Sequence, residues 1–199
     1  HHAAMGAWLY RDSPDYRRAY DEVVATARSI GADDGIPGDA LRRRDHVAVH
    51  LRMLATQYAT ARALEAWLGP PAAVVGHSLG EFAAAVVAGY LTLDDAARLV
   101  LGRGRGMQAA SAGRLLAVHS AESREEPVVP DGVRLAADNS PNDWVLAGSA
   151  AALRAVRSDL EAQGLLTRLL PGDRAFHTPG LAGVGARLRE LEVAGGSPR

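Results

Sequence analysis

Apolar positions recur along the chain at two different spacings, and the change from one to the other divides it. Tyr16, Ala19, Tyr20 and Val23 follow the turn-prone Asp12-Ser13-Pro14 at helical spacing, which predicts a helix within the segment from Trp8 to Ala32. A Gly/Asp/Pro-rich loop, Gly31 to Asp39, separates it from a longer Ala/Leu-rich helix that ends near Trp67-Leu68, where Gly69-Pro70-Pro71 breaks the chain. Ala72-Ala73-Val74-Val75 then reads as a short buried strand. Leu79 to Gly89 is helical again, and Thr92 with Asp95 three residues later has the pattern of a capping box, opening a helix that reaches Ala110.

Beyond that helix the pattern changes. Leu115 to Val118, Val133 to Ala137 and Trp144 to Ala147 are short strand-like runs. The first two are linked by a weak helical segment rich in Glu, the last two by Asn139-Ser140-Pro141-Asn142. An amphipathic helix, Ala150 to Gln163, ends at Gly164, and Leu165 to Leu170 makes a fourth strand. The order βαββαβ fits a ferredoxin-like insert. Leu181 to Val193 reads as a last helix, and Gly195-Gly196-Ser197-Pro198-Arg199 as a frayed end.

Composition narrows the chemistry. With 199 residues, 48% of them hydrophobic, the chain can bury one substantial core and a small satellite subdomain. The charge is balanced, 22 basic against 23 acidic residues, and the one short basic run is Arg42-Arg43-Arg44, so a nucleic-acid partner is not expected. Cysteine is absent, which excludes disulfides, thiolate catalysis and thiol-based zinc sites, and leaves oxygen as the atom of any covalent nucleophile. Every basic residue other than histidine is Arg, which argues against Schiff-base or Lys-base chemistry. No stretch approaches the roughly 18 apolar residues of a membrane span and no signal-peptide layout is present, so no membrane partner is expected and the expected location is cytoplasmic.

The strongest local signal is Gly76-His77-Ser78-Leu79-Gly80, set between the apolar run 72–75 and the helix beginning at Leu79. This is the strand–turn–helix context that a G-x-S-x-G nucleophile elbow requires. The tight turn explains the two glycines as positions without room for a side chain. It also puts Ser78 at a helix N-terminus, where the Leu79 N–H faces an oxyanion on an attached acyl group.

The longer string Val74-Val75-Gly76-His77-Ser78-Leu79-Gly80-Glu81-Phe82-Ala83-Ala84-Ala85 resembles the active-site segment of malonyl-CoA:acyl-carrier-protein transacylases and of bacterial polyketide synthase acyltransferase domains. The likeness continues through Ala88 to Ala96 and Arg103-Gly104-Arg105-Gly106-Met107-Gln108, and again at Ala175-Phe176-His177-Thr178-Pro179. It implies an α/β fold: an α/β-hydrolase-like core carrying the elbow, residues 1–112 and 173–199, incomplete at both ends, with a ferredoxin-like small subdomain, residues 113–172, inserted. It implies Ser78 as nucleophile and His177 as base. Arg103, 25 residues after Ser78, is the implied clamp for a free carboxylate. Leu79, Phe176, His50, His77 and Asn139 are the further implied substrate-binding residues, and Phe176 with Leu79 goes with malonyl rather than bulkier units.

The implied reaction moves a malonyl unit from malonyl-CoA to the phosphopantetheine thiol of an acyl carrier protein, through a Ser-linked ester, in polyketide biosynthesis. No metal and no bound cofactor are implied. The partners are the acyl-CoA, the carrier protein and neighbouring domains of a multienzyme. In the same family a strand with a Gly-Gln-Gly turn precedes the segment that His1 to Gly6 resembles, and further residues follow the His, so the sequence is expected to be part of a longer one. Position 50 holds His where the family usually has an active-site Gln, and position 174 holds Arg where malonyl-type members often have His. His50 reads as a neutral donor in place of the amide, as a sign of an unusual acyl group, or as a plain helix-surface residue. Two other functions fit the Ser–His pair: a serine acyl hydrolase or esterase, and a catalytically silent docking domain. A buried Arg103 would count against a site for neutral esters.

Overall fold

Ser13 and Pro14 split the N-terminal helical pattern in two. In the computed structural model, residues 4–32, 45–124 and 126–196 are described. Helix α1, Ala7–Asp12, stops at Ser13, whose hydroxyl accepts from the Tyr16 N–H, and α2, Pro14–Ser29, begins with Pro at its first position. Asp45 caps α3, His46–Leu68, by accepting from the Ala48 N–H, and Gly69 (φ 85°) ends it. The Gly/Asp/Pro-rich loop from residue 33 on, and the Arg42–Arg44 run, lie outside the described residues.

The chain divides into two compact units, residues 1–108 with 186–199, and residues 109–185. In the first, α2 and α3 pack together with α4, Gly80–Val87, and α5, Leu93–Ala109. Their core comprises Tyr16, Val23, Leu51, Leu54, Ala59, Leu79 and Val100, among others. The capping box forms as expected at Thr92, whose hydroxyl accepts from the Asp95 N–H and donates to the Asp95 carboxylate.

One expectation fails in this unit. Residues 72–75 form no strand, and Val75 is 96% exposed. An apolar run marks side chains suited to a sheet, whereas a strand exists only where a neighbour supplies its ladder bonds. Among the described residues of this unit there is no strand to do so. The end of the chain is also not frayed through residue 196. Ala194 N–H donates to Asp95 Oδ1 and Gly196 N–H to the Tyr90 carbonyl, which ties this segment to the start of α5.

The second unit is a four-stranded antiparallel sheet of β1, Arg114–His119, β2, Arg134–Ser140, β3, Asp143–Gly148, and β4, Leu166–Leu169, in the order β2-β3-β1-β4. Leu116 and Val118 alternate inward on β1, as do Trp144 and Leu146 on β3. They pack on Leu153, Val156 and Leu160, one face of α6, Ala150–Ala162. Asn139 and Ser140, read as a linker, instead finish β2, which is bulged on either side of Asp138. The Glu-rich link between β1 and β2 is not helical among its described residues. Pro127 and Pro130 interrupt it, and the Arg124 N–H is drawn out to the Pro141 carbonyl.

A 3₁₀ turn, Pro179–Leu181, leads into α7, Ala182–Arg189, which is shorter than the expected run to Val193. The structure also groups residues 173–185 with the sheet, where the sequence placed them with the large subdomain. The physical reason is local: the Gly113 N–H donates to the Asp173 carbonyl, and Ala175 packs directly over the Cα of Gly113.

Candidate active site

Two non-glycine residues among those described have a positive φ, Ser78 at 55° and His177 at 59°. They are the residues assigned from the sequence as nucleophile and base. A side chain in the left-handed region is disfavoured by roughly 1–2 kcal/mol, and such strain gathers at functional sites where the surroundings over-determine the backbone.

At Ser78 the cause is visible. The Gly80 N–H donates to the His77 carbonyl at 3.0 Å and the Glu81 N–H to the Ser78 carbonyl at 3.1 Å, folding the chain sharply into α4. A side chain at position 76 would overlap the backbone of Gly80 and Glu81, so glycine is required there. Position 80 differs from the expectation, because a Cβ there would meet nothing closer than the end of the Gln57 side chain at 3.5 Å. Leu79 contributes its backbone N–H beside Ser78, outside the turn bonds just described, but its side chain is 4% exposed and belongs to the core. His77 is exposed.

The same unit brings Arg103 and His50 together. Gly104 lets α5 approach α3 so closely that a Cβ on it would stand 2.7 Å from the Cα of Val47. The neighbouring Arg103 consequently meets His50, three residues along α3 from Val47, with its Nη1 3.2 Å from Nδ1 and 3.1 Å from Nε2. His50 is 5% exposed, which overturns the reading of a helix-surface residue. Burial first, then the charge of Arg103, then His46, push its pKa from 6.5 down to about 3, so the ring is neutral. Burial lowers the Arg103 pKa as well, while the Glu81 carboxylate, in the first turn of α4, favours its charged form. Glu81 was not read from the sequence as a partner of Arg103. The glycines on either side of Arg103, Gly102 and Gly104, were the available signal that this helix is closely packed.

The second unit holds His177, Phe176 and Asn139. His177 is exposed and Phe176 half-buried on the segment that Gly113 anchors, and Thr178 steadies the turn by donating from Oγ1 to the Ala175 carbonyl at 2.8 Å. Arg174 pairs with Asp173 at 3.1 Å. Asn139, at the end of β2, borders a shallow groove with Arg124, Pro141 and Trp144. No cluster of His, Asp and Glu suited to a metal ion occurs among the described residues. Nor is any described helix long and apolar enough to cross a membrane.

A family model described as the acyl transferase domain matches residues 2–195. The chain is 39% identical over 201 aligned residues, 94% of its length, to the erythronolide synthase EryA2 of Saccharopolyspora erythraea, and 38% identical over 88% of its length to the polyketide synthase GfsA of Streptomyces halstedii. It spans 6% and 2% of those proteins. Among solved structures, the acyltransferase domain from the second module of the salinomycin polyketide synthase is similar over the whole chain, with TM-score 0.81 and 32% identity, and the chain spans 48% of it. MCAT of Streptococcus pneumoniae is similar over 99% of the chain, with TM-score 0.76 and 27% identity, and 68% of it is spanned. The chain belongs to the acyl transferase domain family, of the kind found in polyketide synthases.

Proposed function

We propose that the chain selects a malonyl unit from malonyl-CoA and passes it to the phosphopantetheine thiol of an acyl carrier protein through an ester on Ser78. The observation that carries this reading is Arg103, a cation built into the same unit as the elbow and held against a neutral ring. A malonyl group brings a free carboxylate that needs such a partner once it leaves water, and a planar guanidinium suits a two-pronged contact. A site for neutral esters gains nothing from burying this charge.

In the proposed sequence His177 takes the Ser78 hydroxyl proton as Oγ bonds to the thioester carbon. The tetrahedral oxyanion is met by the Leu79 N–H at the start of α4. It collapses by breaking the C–S bond, and the CoA thiol leaves with the proton from His177. The carrier-protein thiol then repeats the steps in reverse, giving its proton to His177 and restoring Ser78. Phe176 supplies the bulk that disfavours an α-methyl branch, a discrimination worth about 1–3 kcal/mol. The side chain of Leu79, being in the core, contributes through packing of the elbow. The elbow supports an α/β-hydrolase-like reading of the first unit. The antiparallel order β2-β3-β1-β4 supports a ferredoxin-like reading of the second, with no first helix among its described residues.

The test is a competition between malonyl-CoA and acetyl-CoA for loading. Arg103→Ala is expected to slow malonyl loading by about tenfold to a hundredfold, the worth of a charge-assisted pair, with acetyl loading unharmed. Equal loss of both rates would overturn the carboxylate-clamp reading.

A further inference from the structure

We propose that His50 is the positioning residue of Arg103, fixing the plane of its guanidinium rather than touching the acyl group itself. The inference rests on the reading of Arg103 as the carboxylate clamp. Nη1 is nearly equidistant from the two ring nitrogens, 3.2 and 3.1 Å, although these sit on opposite sides of one ring carbon. Nη1 therefore lies against the ring rather than at the end of one lone pair. A ring that is 5% exposed and engaged in this way offers little surface to an incoming substrate. What it does offer is a rigid partner for the guanidinium.

Arg carries only donors, so it needs a neighbour with electron density and no charge of its own sign. Neutral imidazole meets this requirement, whereas a protonated ring would repel the guanidinium. Two features keep the arrangement in place. Gly104 presses α5 onto α3 at Val47, leaving the Arg103 and His50 side chains side by side. His46 lies one turn before His50 with ring centroids 5.9 Å apart, and its backbone N–H donates to Gln108 Oε1 at 3.1 Å, which ties the start of α3 to the end of α5. The long Arg side chain thus meets the substrate with part of its rotamer freedom already removed. In such a site misplacement of the fork weakens the contact made by two parallel bonds more than it weakens simple charge attraction.

The test uses loading competition between malonyl-CoA and acetyl-CoA in the full chain, for His50→Leu, His50→Gln and each in an Arg103→Ala background, with thermal melting as the check on folding. His50→Leu keeps the bulk and removes both nitrogens, and is expected to lower the malonyl-to-acetyl loading ratio about tenfold, chiefly through KM for malonyl-CoA. His50→Gln supplies an amide oxygen to Nη1 and is expected to restore most of the ratio. In the Arg103→Ala background His50→Leu should leave the ratio unmoved, because the residue it positions is gone. A ratio unchanged by His50→Leu overturns the proposal. So does a loss that His50→Gln fails to restore, or one that persists without Arg103, which would place His50 in contact with the substrate. If Arg103→Ala itself leaves the ratio intact, the carboxylate-clamp reading fails, and the role of His50 with it.

Discussion

Ser78 and His177 share a backbone conformation that neither residue type favours, and this has a measurable consequence at Ser78. The turn bonds at Gly80 and Glu81 hold the left-handed conformation whatever side chain occupies position 78. Ser78→Gly removes the Cβ that makes φ 55° unfavourable, whereas Ser78→Ala removes the hydroxyl and keeps the strain. Both variants are expected to lose covalent loading from malonyl-CoA, measured by mass spectrometry. Ser78→Gly should nevertheless be more stable than Ser78→Ala by about 1 kcal/mol, less any offset from the greater freedom of glycine in the unfolded chain. A Ser78→Ala midpoint above that of Ser78→Gly by the full worth of that offset would mean that the elbow stores no strain at this residue. At the same scale, the motif pointed to Ser78 and the resemblance to Arg103 and His177, but His50 had three readings. Only the packing of α5 on α3 removed the helix-surface reading, by burying the ring beside Arg103.

Among the helices, the decisive contact is the close approach of α3 and α5 at Gly104. Glycine inside a helix is unfavourable relative to alanine by roughly 1 kcal/mol, so its presence needs a packing reason. Here a Cβ would stand 2.7 Å from a backbone carbon of Val47, an obstacle that rotamer change cannot relieve. Gly104→Ala is therefore expected to destabilise the chain by about 1–3 kcal/mol despite the better helix propensity, and to lower malonyl loading by shifting Arg103 from His50. Gly183 in α7 is the control, since a Cβ there has nothing within 4 Å. Gly183→Ala should be neutral or stabilising, by up to about 1 kcal/mol. If chemical denaturation shows the two substitutions shifting stability alike, the backbone of Val47 does not crowd position 104. The unpaired run 72–75 shows the complementary limit of pattern reading, because its side chains suit a strand while its ladder partners are a property of the surrounding chain.

At the scale of the whole molecule, the buried neutral His50 links folding to pH. Its pKa is pushed down to about 3 in the folded chain, against 6.5 ordinarily, so below pH 6.5 the unfolded chain binds a proton that the folded chain refuses. Stability must then fall as pH drops through this window, by on the order of 2–3 kcal/mol between pH 6.5 and about 4.5 from this residue. Asp95 acts in the same direction at lower pH. Its carboxylate is held below the usual range by the Thr92 hydroxyl and by the backbone N–H groups of Ala194 and Gly195, and protonating it weakens both the α5 cap and the tie to residues 194–195. Urea titrations at pH 7 and at about pH 4.5 separate the two contributions. The difference between the native chain and His50→Gln should grow against the native chain as pH falls, and a difference independent of pH would mean that His50 is protonated when folded.

The sequence by itself determined what depends on residues near one another in the chain. The Ser13-Pro14 break, the Thr92–Asp95 cap, the alternating strands around Trp144 and the amphipathic α6 are local patterns, and the elbow is a five-residue one. Resemblance then pointed to Arg103 by its spacing from Ser78 and to His177 by the segment around it. Tertiary structure decided whatever depends on approach between distant segments. It buried His50 against a cation 53 residues away, and it brought Glu81 close enough to favour the charge of Arg103. It also anchored residues 173–175 on Gly113, and so assigned His177 to the unit built on the sheet. Each of these outcomes is set by desolvation and by the steric room that a missing Cβ leaves at Gly104 or Gly113. Neither quantity exists until two segments are packed together, and for that reason no periodicity along the chain records it.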